Sequence, residues 1–432
     1  MPVAIALFTQ DLRLHDNPVL HAALASAEEV VPLFVLDDGV AATGFAVPNR
    51  AAFLADCLRD LDAGLRSRGG RLVLRQGEVV AETARLAAEA GAVTVHVAAG
   101  VSAFAQRREA RLREALGARL VVHEAVLTAV APGAVTPAGK DHYAVFTPYL
   151  RAWQRTERRR PLAAPRRVPV PDGVEGLPVP EVRPDSPELP PGGEQAGRAR
   201  WKRWRTAPGD RDALALDGTS HLSPYLHFGC LSATELAAGT ADEDFVRQLV
   251  WRDFHHQVLA ARPSVALQDY RPRDDRWHRD PAELEAWQHG LTGYPVVDAG
   301  MRQLAAQGWM HNRARLITAS FLAKTLYHDW REGAAHFLSL LVDGDVANNQ
   351  LNWQWVAGTG TDTRPNRVLN PLTQAKRFDP DGDYVRRWVP ELVGIPGGAV
   401  HRPWLLEQWP DQDYPAPLVE LTADRFGLGR PR

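Results

Sequence analysis

Short apolar runs alternate with longer amphipathic stretches through the first part of the chain. The runs 3–8, 30–36, 71–75 and 93–97 are bounded by turn residues and predict strands. The stretches 50–68, 79–90 and 105–116 are rich in Ala, Leu and Arg and predict helices, and the first of them repeats apolar residues at helical spacing. Strand–helix alternation predicts a parallel, Rossmann-like sheet covered by helices. The GxGxxG dinucleotide fingerprint is missing after the first strand, so the α/β layer by itself indicates no particular ligand.

The pattern changes twice after this region. Ten prolines between 161 and 193 leave little room for helix or central strand, which predicts an extended surface connector. Beyond about 196 the chain reads as helical, with long candidate helices at 244–261, 297–307 and 312–327. Three prolines are expected at helix starts or turns: Pro224, Pro281 and Pro371. We therefore expect an α/β domain over 1–130, a Pro-rich interdomain connector over 131–195 and a larger all-α domain over 196–432.

Composition narrows the classes of protein. The 432 residues carry 50 Lys+Arg against 52 Asp+Glu, a net charge of −2, which excludes a globally basic nucleic-acid binder but not a local basic groove. Cys57 and Cys230 are the chain's two cysteines, too few for a cysteine-ligated cluster or a disulfide framework. The N-terminus lacks the basic region of a secretory signal, and no apolar run is long enough for a membrane span. We expect a cytoplasmic protein.

Two polar segments carry candidate chemistry. Thr219, Ser220 and Ser223 lie just before or at the start of a predicted helix, where hydroxyls and backbone N–H groups form either a phosphate cradle or a plain helix cap. The segment 343–349 holds Asp343, Asp345 and two amides. It fits a metal loop, hydrogen bonding to a polar heterocycle or ribose, or a solvated turn. The calcium-loop pattern fails there, and no metal is assigned.

Thirteen tryptophans exceed the eight tyrosines, and several stand beside Arg or Asn. The groups are 251–254, 309–315 and 353–355. Each tryptophan taken singly fits a core position. Together with Trp277, Trp287 and Trp330, they fit stacking on unpaired bases or on an aromatic cofactor, with arginines pairing with phosphates.

Several long motifs in series resemble the DNA photolyase and cryptochrome family over nearly the whole chain. They run in chain order as DLRLHDNP from Asp11, YAVFTPY from Tyr143, GTSHLSPYLHFG from Gly218, LTGYPVVDAGMRQL from Leu291, GWMHNRARLITASFL from Gly308, DWREG from Asp329 and DGDVANNQLNWQWVAGTGTD from Asp343. Their order and spacing are most similar to the class I enzymes that repair cyclobutane pyrimidine dimers.

The resemblance implies that the all-α domain binds FAD in a U shape. An antenna chromophore, folate or deazaflavin, is implied for the α/β domain. Asn349 matches the position that faces the reactive ring nitrogen of the flavin, where an amide tunes the cofactor. The positions that match the family's cofactor contacts are Thr219, Ser220, Leu222, Ser223, Arg252, Asn312, Arg315, Asp343, Asp345 and Asn349.

The resemblance also assigns roles to aromatic and basic residues. Trp353, Trp330 and Trp277 match an electron-hopping chain from flavin to surface. Trp251 and Trp355 match the aromatics that sandwich a flipped-out lesion, and aromatic walls offset part of the unstacking energy. Residues matching other lesion or DNA contacts are Gln248, Arg313, Leu316 and Arg367. The implied protein is a monomeric carbon–carbon lyase acting on DNA with UV-damaged pyrimidines.

Some positions depart from the family pattern. Gln248 replaces a Glu usual in dimer photolyases, and an amide cannot deliver a carboxyl proton. Leu316 replaces a Met beside the dimer, and Asn312 and Leu316 stand where (6-4) photolyases need a histidine pair. His221 replaces an Arg in the phosphate motif, where Trp204 is the candidate substitute for a missing Tyr.

Four functions therefore compete. The first is a light-dependent lyase that splits cyclobutane dimers by electron transfer from excited reduced FAD. The second is a cryptochrome-like photoreceptor with little repair, favoured by Gln248 and Leu316 but opposed by the short tail after Arg425. A (6-4) photolyase is third, and a non-photochemical flavoprotein is last because the paired tryptophan sets argue against it.

Overall fold

A five-stranded parallel sheet forms the centre of the N-terminal domain. The computed structural model describes residues 1–206, 209–216, 218–361, 367–407 and 414–421. The strands are β1 (Val3–Leu7), β2 (Glu29–Asp37), β3 (Val73–Gly77), β4 (Ala92–Ala98) and β5 (Leu120–His123). They lie in the order β3-β2-β1-β4-β5, with every pairing parallel. The predicted α/β class is confirmed.

Helices cover both faces of this sheet, which explains why its strands are almost continuously apolar. One face packs on α1 (Pro18–Ser26) and α3 (Pro48–Arg66), and the other on α4 (Val79–Glu89) and α5 (Ala103–Leu116). A short α2 (Asp38–Ala42) follows β2. The four predicted strands are confirmed, whereas β5 was missed because it is four residues long and mostly half-buried.

The stretch 131–195 contains one whole helix, α6 (Phe146–Arg155), and the first two residues of the next helix. Residues 157–193 form neither helix nor strand and run along the α/β domain. Backbone hydrogen bonds hold them there, for example Val168 N–H to the Arg68 carbonyl at 3.0 Å and Leu177 N–H to the Leu74 carbonyl at 2.8 Å. The proline-rich segment is thus extended, as its composition predicted.

The rest of the chain is helical. The helices are α7 (Glu194–Thr206), α8 (Ser223–His227), α9 (Ala233–Ala238), α10 (Glu243–Ala261), α11 (Pro281–Gln288), α12 (Pro295–Gln307), α13 (Asn312–Ser320), α14 (Trp330–Leu340), α15 (Val346–Ala357), α16 (Pro371–Phe378) and α17 (Asp383–Trp388). Pro224, Pro281 and Pro371 lie in the first turns of α8, α11 and α16, as predicted. Within the described residues, no helix is both long and apolar enough to span a bilayer.

One predicted helix differs from the structure. The sequence predicts a helix over 312–327, but α13 ends at Ser320 and the chain widens into a π-turn over Phe321–Leu326. Tyr327 then takes a left-handed conformation, with φ of 63°. Lys324 is buried in the wide turn and donates to the Ala357 carbonyl at the end of α15, at 2.6 Å. A π-helical turn is rare and occurs mostly as a single turn within or beside an α-helix, as it does here.

A buried arginine ties the two domains together. Arg13, from the loop after β1, donates to the carbonyls of Gly229 at 3.0 Å and Val126 at 3.1 Å. Gly229 has φ of 69°, and a Cβ there would overlap the Gln10 carbonyl. Only glycine permits this approach. The contact holds the loop after α8 against the sheet and so positions the candidate site.

Candidate functional site

The predicted phosphate motif lies at the start of α8. Thr219 Oγ1 is buried and has no hydrogen-bond partner among the described residues. The Ser220 carbonyl accepts from Arg200 Nε at 3.0 Å. Leu222 is buried in the core, which leaves its backbone as its polar contribution to the site. The motif therefore presents a hydroxyl and backbone groups, as a phosphate ligand requires.

Two tryptophans frame this motif. Trp309 Nε1 donates to Ser223 Oγ at 3.2 Å, and its ring stacks on His221 with centroids 3.8 Å apart. Trp204 Nε1 donates to the Gly218 carbonyl at 3.1 Å, so it lies beside the motif where a substitute for the missing tyrosine was expected. His221 adopts φ of 49°, which fixes the turn into α8.

Three predicted residues of α10 occupy different environments. Arg252 donates to the carbonyls of Leu127 at 2.5 Å and Leu226 at 3.3 Å. Trp251 lies flat on Phe146 of α6, with centroids 3.6 Å apart and planes 2° apart. Gln248 is half-buried and donates to the Asp244 carbonyl, one turn earlier in its own helix, at 3.3 Å. Trp251 is thus positioned by α6, whereas Gln248 is held by its own helix.

Asp345 caps α15 and joins it to α10. Its carboxylate accepts from the backbone N–H and the side-chain amide of Asn348, each at 2.8 Å. Its second oxygen lies 3.2 Å from His256 Nε2. Burial raises the pKa of Asp345, but the charge and hydrogen bond of His256 and the charge of Arg252 outweigh it and hold this pKa well below its usual value. The carboxylate therefore stays ionised.

Asp343 and Arg315 form a second buried polar pair. Arg315 Nη2 donates to Asp343 Oδ2 at 2.8 Å, and its Nε donates to the Met310 carbonyl at 2.8 Å. Asp343 Oδ1 is buried without a hydrogen-bond partner among the described residues. Asn312 begins α13 and is exposed. The pair therefore keeps one carboxylate oxygen available to a ligand, while Asn312 lies nearer solvent.

Helix α15 carries the other predicted flavin-facing residue. Asn349 is half-buried, and its Nδ2 donates to the Ala334 carbonyl at 3.2 Å and to Gln350 Oε1 at 2.9 Å. Trp353 lies four residues later, on the same face of the helix. Because α10 and α13 both pack on α15, their polar residues converge around this helix.

The three predicted chain tryptophans share one core. Trp353 and Trp330 are buried in it, and Trp277 is partly buried against it. A Cβ on Gly333, which follows Trp330 by one turn, would overlap the Trp353 ring. Trp330 Nε1 donates to Asp269 Oδ1 at 2.8 Å, and Trp277 packs on Tyr327 at 5.0 Å between centroids. Trp277 is thus the most exposed of the three, and the other two are buried.

The remaining lesion and DNA candidates lie at the rim. Trp355 and Leu316 are partly buried against the core, and the Arg367 guanidinium lies 4.9 Å from the Trp355 ring centroid. Arg313 Nη2 donates to Asp212 at 2.8 Å, and its guanidinium lies 4.1 Å from the Phe378 centroid. Arg367 is exposed, whereas Arg313 already has a carboxylate partner.

Sequence reasoning missed partners that the fold supplies. His256 contacts Asp345 and follows Arg252 by one helical turn. The sequence signal that could have identified it is a histidine on the buried face of a predicted helix. Trp309 was among the candidate stacking tryptophans, but its contact with the phosphate motif was not predicted, and Phe146 was given no role. Asp269 lies 61 residues from Trp330, and no sequence signal links them.

The unpartnered buried polar atoms of the site fit FAD. Thr219 Oγ1, Asp343 Oδ1 and Trp353 Nε1 are buried polar atoms without protein hydrogen-bond partners in the described chain. A hydroxyl at a helix start suits a phosphate, and an ionised carboxylate suits the hydroxyl and amine donors of a ribose, ribityl or adenine group. Buried polar atoms of native proteins normally have partners, so these atoms indicate a polar ligand.

An α/β domain followed by a helical domain with these polar atoms defines a two-domain flavoprotein. Residues 4–170 match the family model described as DNA photolyase, and residues 245–427 match the FAD binding domain of DNA photolyase. The chain belongs to the photolyase and cryptochrome family, and its cofactor is FAD, as predicted. The individual residue roles and the class I assignment stay predictions.

The chain is similar to known photolyases over nearly its full length. The chain is 61% identical to the deoxyribodipyrimidine photo-lyase of Streptomyces griseus, over 100% of this chain and 99% of that protein. A class III photolyase from Agrobacterium tumefaciens superposes with a TM-score of 0.90 at 31% identity, covering 97% of this chain and 94% of that chain. An archaeal photolyase from Sulfolobus tokodaii, solved with two FAD molecules, superposes with a TM-score of 0.87 at 31% identity. The match covers 97% of this chain and 96% of that chain.

Proposed function

We propose that this chain is a light-dependent deoxyribodipyrimidine photo-lyase that splits cyclobutane pyrimidine dimers in DNA. Reduced FAD, when bound and excited by light, supplies the electron that opens the dimer ring. The observation that carries the proposal is the arrangement of α15, whose twelve residues hold Asn349, Trp353 and Trp355 just after the Asp345 cap. One helix thereby joins cofactor binding, electron supply and lesion contact. The full-length relation to a protein with this name supports the same activity.

Two polar side-chain pairs form the rigid part of the cofactor site. The Asp345–His256 pair fixes the start of α15 against α10, and the Asp343–Arg315 pair fixes the preceding turn against α13. The chain's cofactor-binding residues are Thr219, Ser220, the backbone of Leu222, Ser223, Arg252, Asn312, Arg315, Asp343, Asp345 and Asn349. Preorganised groups of this kind limit the entropy lost on binding.

The lesion side is more open. Trp251, supported by Phe146, and Trp355, beside Arg367, provide aromatic surfaces for a flipped-out dimer. Gln248 and Leu316 complete that pocket, with Gln248 offering an amide hydrogen bond. Arg313 and Arg367 contact phosphates around the lesion and make binding salt-dependent.

The tryptophans restore the reduced cofactor. An electron passes inward from Trp277 through Trp330 to Trp353, and an external reductant refills Trp277. The Asp269 carboxylate, which accepts from the Trp330 indole, stabilises positive charge on that ring.

The remaining proposals concern context. The α/β domain binds an antenna pigment, folate or deazaflavin. The enzyme acts as a monomer in the cytoplasm, where its two buried, free cysteines stay reduced.

The test is repair of a thymine dimer in an oligonucleotide by the FAD-loaded, reduced protein in blue light, with a dark sample as control. We expect thymine to be restored only in light, and Trp251→Ala to weaken binding of the damaged strand. Absence of repair by a protein whose FAD is bound and photoreducible would overturn the lyase. It would then favour a photoreceptor, for which the amide at Gln248 is the supporting observation.

A further inference from the structure

A histidine–glutamate cluster lies next to the outer end of the tryptophan chain. His278 Nε2 and His328 Nε2 lie 3.5 Å and 3.4 Å from the same oxygen, Glu283 Oε2. One ligand atom from each residue lies within 4.8 Å of the others. His278 directly follows Trp277 in the chain. This is a convergent set of two imidazoles and one carboxylate.

Backbone contacts hold the three residues in place. The His278 N–H donates to the Tyr327 carbonyl at 2.9 Å, which joins the segment before α11 to the segment before α14. Asp280 caps α11 and accepts from the backbone N–H of Glu283 at 3.2 Å. The ligand set therefore sits on two capped helix starts, and its geometry does not depend on long flexible loops.

Burial leaves the cluster open on one side. The exposed fraction of the side chain is 2% for His328 and 10% for Glu283, but 35% for His278. His328 Nδ1 lies 3.5 Å from Glu332 Oε2 on the next turn of α14. A carboxylate at the second nitrogen of a histidine is the usual support for a metal-ligating imidazole, because it fixes the ring and its tautomer.

We propose that His278, Glu283 and His328 form a site for a divalent transition metal of the zinc class. Ligand bonds of about 2.0–2.1 Å in a tetrahedron place neighbouring ligand atoms roughly 3.3 Å apart, close to the separations of both histidine nitrogens from Glu283 Oε2. Two imidazoles and a carboxylate make a three-ligand set whose fourth position is open to water at the His278 side. The oxygen-rich preference of Ca²⁺ and Mg²⁺ excludes those ions. Sequence reasoning missed the site because its ligands are 50 residues apart.

This proposal is independent of the lyase activity. A different interpretation of the same geometry is an ion-pair network of Glu283 with two protonated histidines and no metal. The two interpretations differ in a measurable way, because only the metal site binds Zn²⁺ with a defined stoichiometry.

The first measurement is calorimetric titration of the FAD-loaded protein with Zn²⁺ at pH 7.5. We expect one Zn²⁺ per chain, and a loss of affinity of tenfold or more in His278→Gln. His289→Gln, which replaces an exposed histidine at the end of α11, is the matched control and should keep wild-type affinity. Absence of saturable binding, or binding unchanged in His278→Gln, would overturn the proposal.

The second measurement identifies the ligands. The electron paramagnetic resonance spectrum of the protein with one Cu²⁺ should show two equivalent imidazole nitrogens in the wild type and one in His278→Gln. Because Glu283 and His328 are buried, their variants are read only where bound FAD and circular dichroism match the wild type. His278 is the exposed member, so its variant decides the proposal if the others do not fold.

Discussion

His256 Nε2 lies 3.2 Å from Asp345 Oδ2, and this contact joins the middle of α10 to the first turn of α15. The same carboxylate caps α15 through Asn348. One side chain therefore stabilises a helix start and an interhelical contact within the cofactor site. Because His256 and Arg252 lower the pKa of Asp345 despite its burial, the Asp345 carboxylate is ionised throughout the neutral range.

Replacing Asp345 should separate these two contributions. Asp345→Ala removes the cap and leaves His256 without its carboxylate, so we expect the free energy of unfolding to fall by about 2–4 kcal/mol. Asp345→Asn keeps a good capping residue and should lose only about 1–2 kcal/mol. Urea denaturation followed by circular dichroism measures both.

Ser102→Ala is the matched control for the Asp345 variants, because Ser102 caps the distant α5 without an ion pair. Its free energy of unfolding should fall by about 1 kcal/mol. If the free energy of unfolding falls no more in Asp345→Ala than in this control, the contact with His256 contributes nothing to stability beyond the cap.

Asp269 should control electron flow through Trp330. Its carboxylate accepts from the Trp330 indole at 2.8 Å and from Arg331 Nη2 at 2.9 Å. Asp269→Asn keeps a hydrogen-bond acceptor but removes the charge that stabilises an oxidised indole. We expect photoreduction of oxidised FAD to slow about tenfold, which corresponds to roughly 1.4 kcal/mol of lost stabilisation.

A neighbouring carboxylate provides the control for Asp269. Asp329 also accepts from Arg331, at 3.0 Å, but does not contact the Trp330 nitrogen. Asp329→Asn should leave the photoreduction rate near that of the wild type, and repair by chemically reduced enzyme should be unchanged in both variants. Equal slowing in both would assign the effect to Arg331.

The sequence predicted the fold well because its signals are local or periodic. Apolar strands separated by amphipathic helices predict a parallel sheet, and Pro281 and Pro371 mark helix starts that the structure confirms. The π-turn at 321–326 was not predicted, because it accompanies a contact between Lys324 and a carbonyl 33 residues away, which no local pattern shows. Strand β5 is too short and too exposed to give a periodic signal.

The site was predicted through motifs rather than through geometry. Asp343 and Arg315 are placed together by the fold, and both were named from the sequence. The pairs His256–Asp345 and Asp269–Trp330 were not, because each joins residues more than 60 positions apart. Long-range partners depend on how the helices pack, and the local patterns of a single sequence do not predict that packing.

Gln248→Glu should increase repair if the pocket receives a cyclobutane dimer. The Gln248 side chain is half-buried, and glutamate is nearly the same size as glutamine, so the substitution needs no repacking. A stronger hydrogen bond worth roughly 0.5–1.5 kcal/mol corresponds to about two- to tenfold. The measurement is the quantum yield of dimer splitting, with exposed Gln106→Glu on α5 as the control. An unchanged yield would assign Gln248 another role.

Arg367 should contribute one phosphate contact. It is exposed beside Trp355, so Arg367→Gln should weaken binding of dimer-containing DNA and reduce the slope of log affinity against log salt by about 1. Arg113→Gln removes an exposed arginine of α5 in the α/β domain and should bind DNA as the wild type does. A salt dependence that is identical in Arg367→Gln would exclude this arginine from the interface.

His255 should make the protein less stable in acid. Burial lowers the pKa of His255 to about 4, and its ring is hydrogen-bonded to Asn348 at 2.9 Å. The unfolded chain takes up the proton near pH 6.5, so this stability is present above that pH and is lost as pH falls toward 4. At pH 5 the loss is about 2 kcal/mol. In urea unfolding at pH 7.5 and 5.0, His255→Gln should show a smaller decrease than wild type, and exposed His289→Gln should not. Equal decreases in all three would show that His255 does not titrate this way.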